Sequence, residues 1–175
     1  KSIKPESIPL DLKVVLIGTP MVNQILYTQD PDFSELFKVK ADFDATMERT
    51  DENVRKYSAF VCTLCKKYHL KHLDRSAVAK VVEYGSRLAD DQKKLTTRFS
   101  LLADVIREAS YYATQDGAEM IAEKHILKAI DERTYRSSLI QEKIQDYIRR
   151  GVFLIDTEGE KVGQVNGLSV ISLGD

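Results

Sequence analysis

The stretch 93–113, KKLTTRFSLLADVIREASYYA, sets the tightest limit on what this chain folds into. Leu101, Leu102, Val105, Ile106, Ala109, Tyr112 and Ala113 recur at helical spacing. The spacing predicts one amphipathic helix that must bury its apolar face against neighbours. Thr96 or Thr97 is the expected N-cap, since a hydroxyl there accepts a first-turn N–H. Arg98 then falls in the first turn, where the helix dipole disfavours a cation and welcomes an anion. Spacing alone leaves two readings open. One is a surface arginine that tolerates its position. The other is a phosphate clamp, a rigid fork of donors beside free helix N–H groups.

Four further segments have helical periodicity. Asp51–Tyr68 is predicted as a helix capped by Thr50 or Asp51, and Asp74–Ala89 as a helix capped by Asp74. A helix over Ala122–Glu132 follows the Asp116-Gly117 stop, and Ser137–Arg149 is another, ended by Gly151. The connections up to the helix at 122 are short, so these helices are expected to pack as an antiparallel bundle. The two ends read differently. Lys1–Leu10, with Pro5 and Pro9, is an extended connector. Asp11–Gly18 (DLKVVLIG) reads as a continuous apolar strand of the kind buried in a parallel sheet, with Thr19 at its carboxyl end, where open α/β sheets place ligands. Met21–Tyr27 is a short helix, Asp30-Pro31-Asp32 a turn or helix start, and Phe37–Phe43 an alternating strand. After the helices, Val152–Asp156 and Val162–Leu173 read as strands, with a hairpin-like turn at Glu158-Gly159-Glu160. The first residue is lysine and the last segment stops in mid-pattern, so the chain is expected to be a piece of a longer one.

With 175 residues, 43% of them hydrophobic, the chain can bury a real core. A net charge of −1 gives no nucleic-acid or polybasic membrane signal, and no apolar run approaches a membrane span. Cys62 and Cys65 with His69 and His72 invite a zinc reading. All four fall along one or two sides of a single helix, which cannot wrap a tetrahedral ion. They are read instead as small core residues and free thiols suited to a reducing cytoplasm, and no metal site is assigned. The sequence holds no GxxxxGK[ST] loop, GxSxG elbow or HExxH pair, and its acids are spread over solvated helix faces. The residues by themselves would not mark an enzyme.

Four runs carry a resemblance. PLDLKVVLIG, then DPDFSELFKVKADFD, then SRLADDQKKLTTRFSLLADVIREASYYA, and finally GVFLIDTEGEKVGQVNGLSV follow one another in the order found in the Lon family of ATP-dependent proteases, and resemble its Lon-B-like branch. GQVNGLSV is similar to the motif that opens the Lon proteolytic domain. KLTTRFSLLADVIREA resembles the third helix of the small lid domain of AAA+ ATPases.

The resemblance implies a mainly α fold. Residues 1–49 would end the AAA+ α/β core as a sheet remnant, and 50–136 would form a four-helix lid. Residues 137–150 would be a linker helix, and 151–175 a short β segment opening the protease domain. It implies that Arg98 is the sensor 2 arginine, which reaches a bound nucleotide, and this favours the clamp reading. It places Thr19 at sensor 1, although the family often has a different polar residue there. The region of an arginine finger contains only Lys38 and Lys40. Asn166 and Gly167 match the domain-opening motif as structural residues. No catalytic residue falls within the chain: the phosphate loop and Walker B acid would precede Lys1, and a Ser–Lys dyad would follow Asp175. The parent is then expected to be a cytoplasmic serine endopeptidase of the La type. It would use ATP with Mg²⁺, form a hexameric ring, and degrade unfolded or damaged proteins. This piece alone would be inactive. The hinge would lie at Thr46–Asp51. Two rivals remain: a non-enzymatic helical interaction or oligomerisation module, and an AAA+ motor that drives something other than proteolysis, such as a helicase or chelatase.

Overall fold

The structure, a computed structural model, describes residues 11–167. Its elements are α1 (Pro20–Gln29), α2 (Phe33–Leu36), β1 (Thr46–Glu48), α3 (Asp51–Tyr68), α4 (Arg75–Leu88), β2 (Lys94–Thr96), α5 (Phe99–Gln115), α6 (Glu123–Ser137) and α7 (Leu139–Arg149). The chain is mainly helical, as the periodicities require. It divides into two compact units, Lys1–Asp44 and Ala45–Asp175. The expected connector at 1–10 and the end of the expected 162–173 strand lie outside the described residues.

In the first unit Thr19 caps α1, its Oγ1 accepting the Val22 N–H at 3.4 Å, and Pro20 supplies the pre-set φ of a first helical residue. The expected helix at 21–27 is therefore present and longer. The turn at 30–32 is present too, closed by the Asp32 N–H on Asp30 Oδ1 at 3.0 Å. Phe33 is buried and stacks on Phe37 with ring centroids 5.0 Å apart. The strands expected at 11–18 and 37–43 are not formed: both segments lack ladder pairing, and Ile17 and Phe43 are 96% and 92% exposed. A parallel-sheet strand takes its backbone bonds from neighbours on its edges, and among the described residues nothing pairs with either segment.

The second unit holds the bundle. Thr50 and Asp74 cap α3 and α4 as expected, accepting the Asn53 N–H at 3.2 Å and the Ala77 N–H at 2.8 Å. Helix α5 ends in a Schellman motif: Gly117, at φ +66°, bonds to the Thr114 carbonyl and Ala118 to that of Ala113. The apolar faces meet in one core that includes Tyr57, Val61, Val81, Leu95, Leu102, Ile106, Ile121 and Ile126. Helix α6 packs on α5 and α4, and α3 on α4. The α3–α4 and α5–α6 connections are tied together where the Ile121 N–H bonds to the His72 carbonyl at 2.8 Å and the Asp74 N–H to the Ile121 carbonyl at 2.9 Å.

Several expectations need correction in this unit. The helix predicted from Lys93 begins only at Phe99, because Lys94–Thr96 forms β2. This strand pairs antiparallel with β1 in the register Thr46↔Thr96, Met47↔Leu95 and Glu48↔Lys94. The β-branched Thr96 and the partner strand outweigh helix propensity there. Strand β1 also occupies the start of the expected 46–51 hinge. Helix α6 runs past Glu132 to Ser137, held by two Arg136–Glu108 hydrogen bonds of 2.7 and 2.8 Å onto α5. The C-terminal strand at 152–156 and the described part of 162–173 carry no ladder. Instead the Asn166 amide closes a loop, donating to the Asp156 carbonyl at 2.6 Å and accepting its N–H at 3.4 Å. Gly159 turns that loop at φ +84°, a value that costs glycine little. Gly151 ends α7 at φ +68°.

Candidate functional site

Arg98 is the N-cap of α5, not a first-turn residue, with φ −79° and ψ +69°. The expected caps Thr96 and Thr97 precede it: Thr96 Oγ1 accepts the Arg98 N–H at 3.2 Å, and the Arg98 carbonyl accepts the Leu101 N–H at 3.1 Å. The residue is exposed and its guanidinium makes no ion pair among the described residues. No acid lies in the first turn of α5, and no side chain caps it. The helix end and the guanidinium thus add their positive potentials at one exposed spot, an arrangement suited to a phosphate or carboxylate.

The backbone on both sides of Arg98 is anchored. Before it, Leu95 and Thr96 are fully buried. The Tyr57 hydroxyl, from α3, donates to the Thr96 carbonyl. After it, Phe99 packs on Phe60 and Tyr57, with ring centroids at 4.7 and 5.6 Å. Burial pushes the Tyr57 phenol up to about 12, so it remains a donor throughout the neutral range. Gly85 of α4 makes room for this ring: a Cβ there would sit 2.8 Å from Tyr57 Cε1 and 3.0 Å from its oxygen. Sequence reasoning missed this cluster. Tyr57 and Gly85 read as ordinary helix positions, and only the three-dimensional approach of α3, α4 and β2 reveals their relation.

The other residues singled out by sequence are dispersed. Thr19 belongs to the first unit and caps α1 there. Its hydroxyl accepts one N–H and keeps its own proton to donate. Lys40 pairs with Asp42 at 3.0 Å, and Lys38 is an exposed coil residue. Asn166 serves the 156–166 loop, and Gly167 is exposed. Cys65 is buried on α3, where burial pushes its thiol up, whereas Cys62, expected in the core, is exposed on the same helix. His69 ends α3 in the left-handed region at φ +52°, and His72 is exposed. The third histidine, His125, went unremarked in sequence yet is 2% exposed. Its Nδ1 accepts the Ala122 N–H at 2.9 Å, which leaves the proton on Nε2 to face Asp116 Oδ2 at 3.2 Å. Asp116 also pairs with Lys124 at 2.7 Å, and that hydrogen bond is the main reason its carboxyl lies below the usual range. This group joins the end of α5 to the start of α6 and so fixes the helix that carries Arg98 at its other end. No helix among the described residues is long and apolar enough to cross a membrane.

Two family descriptions match the chain: "Archaeal LonB, AAA+ ATPase LID domain" over residues 72–136, and "LonB-like, AAA domain" over residues 1–44. Among curated relatives, the Archaeal Lon protease of Archaeoglobus fulgidus is 30% identical over 173 residues, which is 97% of this chain and 27% of that protein. A putative Lon protease homolog of Escherichia coli is 26% identical, covering 94% of this chain and 28% of its own length. The Archaeal Lon protease of Pyrococcus abyssi is 27% identical, covering 97% and 17%. The chain therefore spans about a quarter or less of the length of these relatives.

Proposed function

The chain is a Lon-B-like segment, and from that premise we propose that it is the lid-centred section of an ATP-dependent serine protease. In this reading residues 1–49 close the nucleotide-binding core, 50–136 form the lid, 137–150 are the linker helix, and 151–175 open the proteolytic domain. The parent is a cytoplasmic, hexameric ring that unfolds and degrades damaged proteins. ATP with Mg²⁺ binds chiefly through residues that this chain does not contain, and the segment alone is inactive. One observation carries the reading: Arg98 presents an exposed guanidinium, without an ion pair among the described residues, at the acid-free N-terminus of α5, between two anchored neighbours.

The chain's own residues then have definite tasks. Arg98 would hold the terminal phosphates as a forked donor, and would lose the charge it faces once the cleaved phosphate departs. Thr19 would act separately, as sensor 1, through the hydroxyl proton that its cap on α1 leaves it to donate. Loss of these contacts lets the lid turn against the core. Since Thr46–Glu48 is strand-paired within the lid unit, the turning segment is the exposed coil before it, 38–44. Helix α7, with Leu139, Ile140, Ile144, Tyr147 and Ile148 exposed, passes the movement on. In the intact protein Arg98→Ala should impair ATP-driven protein degradation while cleavage of small peptides largely survives. Equal loss of both activities would refute a nucleotide-sensing role.

A further inference from the structure

We propose that Tyr57 is the positioning residue for Arg98, acting through the Thr96 peptide. The inference rests on the reading of Arg98 as the nucleotide contact. Three observations link Tyr57 to Arg98. The Tyr57 hydroxyl donates to the carbonyl of Thr96, two residues before Arg98. The hydroxyl of that same Thr96 accepts the Arg98 N–H at 3.2 Å. The ring packs at a tilt against Phe99, the residue after Arg98, at a 5.6 Å centroid distance. Arg98 itself lies at φ −79° and ψ +69°, outside both the helix and strand regions. Its own backbone preference therefore does not fix its direction, and its side chain is exposed, so no packing fixes it either.

What remains to aim the guanidinium is the elbow between β2 and α5, and Tyr57 spans that elbow. A phenylalanine would fill the same space and keep the contacts to Phe99 and Phe60. It would leave the Thr96 carbonyl without its donor and the elbow free to shift. The guanidinium stands at the end of a long side chain, so a small rotation of the elbow displaces it by more than the backbone moves.

The experiment is a double-mutant cycle in the intact protein, with steady-state ATP hydrolysis giving KM and kcat and a thermal melt giving stability. Tyr57→Phe should raise KM for ATP about 10-fold, as misplacement of a binding group does. In an Arg98→Ala background the same change should add less than about 2-fold, because two residues acting through one contact are not additive. Thr96→Val, which keeps the shape and removes the acceptor for the Arg98 N–H, should behave in the same way and serves if Tyr57→Phe does not fold. A Tyr57→Phe effect of equal size in both backgrounds would overturn the proposal, because the tyrosine would then support the fold generally. An unchanged KM in Tyr57→Phe and Thr96→Val beside a raised one in Arg98→Ala would overturn it while leaving the role of Arg98 intact. An unchanged KM in Arg98→Ala would remove that role, and the Tyr57 proposal with it.

Discussion

Replacing Gly85 by alanine should destabilise the bundle, although alanine is normally the better residue within a helix. Gly85 lies inside α4 and is buried. In an open helix interior the exchange would gain about 1 kcal/mol. Here the new Cβ would lie 2.8 Å from Tyr57 Cε1, against a carbon–carbon contact of about 3.5–4.0 Å. A ring on a mobile surface side chain would swing aside. The Tyr57 ring is fully buried, tied to the Thr96 carbonyl and backed by Phe99. Overpacking of this kind costs about 1–3 kcal/mol. If the ring retreats, the buried carbonyl loses its donor at a further cost of about 1–3 kcal/mol. The net expectation is a loss of about 2 kcal/mol. For a domain of this size that lowers Tm by roughly 10 °C. A thermal melt followed by far-UV circular dichroism measures it. A Tm that is unchanged or raised would show that the ring yields freely, and would refute the argument that Gly85 is required for the Tyr57 seat.

The remaining predictions concern the scaffold. Ile106→Ala should cost about 2–5 kcal/mol in chemical denaturation, because the side chain is fully buried in the middle of α5. Asp74→Ala should cost about 1 kcal/mol by removing the cap on the Ala77 N–H, whereas Asp74→Asn should retain most of it. The two Arg136–Glu108 hydrogen bonds, chiefly, hold the Glu108 carboxyl below the usual range. A group depressed in the folded state contributes stability above its unfolded pKa of about 4.3, and the contribution fades as pH falls through the folded value. Melts at pH 7 and below 4 should therefore differ less in Glu108→Gln than in the parent sequence.

The fold was legible wherever a segment finds its partners within the chain. Helices α3 and α4 matched their expected caps because a hydroxyl or carboxylate three residues before an N–H is a local signal. Gly117 and Gly151 were legible as stops for the same reason. Strands β1 and β2 were not, since three residues pair with three others nearly fifty positions away, and neither alternates long enough to register. The apolar runs at 11–18 and 152–156 gave a true hydrophobic signal, but hydrophobicity does not supply the neighbouring strand that a ladder needs. The family descriptions matched over 1–44 and 72–136 accord with the order of the motifs. At the candidate site, periodicity located Arg98 and could not choose between its two readings. The anchoring by Tyr57, Thr96 and Gly85 depends on contacts between distant segments and left no mark in the sequence.

The residues around the β2–α5 elbow also separate stability from chemistry, which is why Arg98 can be probed cleanly. Among the described residues the core cluster from Tyr57 to Ile130 is built from the helices, β2 and the Ile121 connection of the second unit, without Arg98, so the scaffold does not need its exposed tip to hold together. Leu95 and Thr96 face inward at 0% and 1% exposure, and Phe99 packs against the core. Arg98, between them, faces solvent. Surface changes of this kind usually alter stability by less than about 0.5 kcal/mol. An Arg98→Ala variant should therefore melt close to the parent temperature, so any large change in ATP dependence reports the missing charge. The same logic assigns the opposite signature to Leu95→Ala, whose effect on ATP use should scale with its loss of stability. The single exposed position at 98, beside buried Leu95 and Thr96 and half-buried Thr97 and Phe99, thus turns one short stretch into both a joint and a probe.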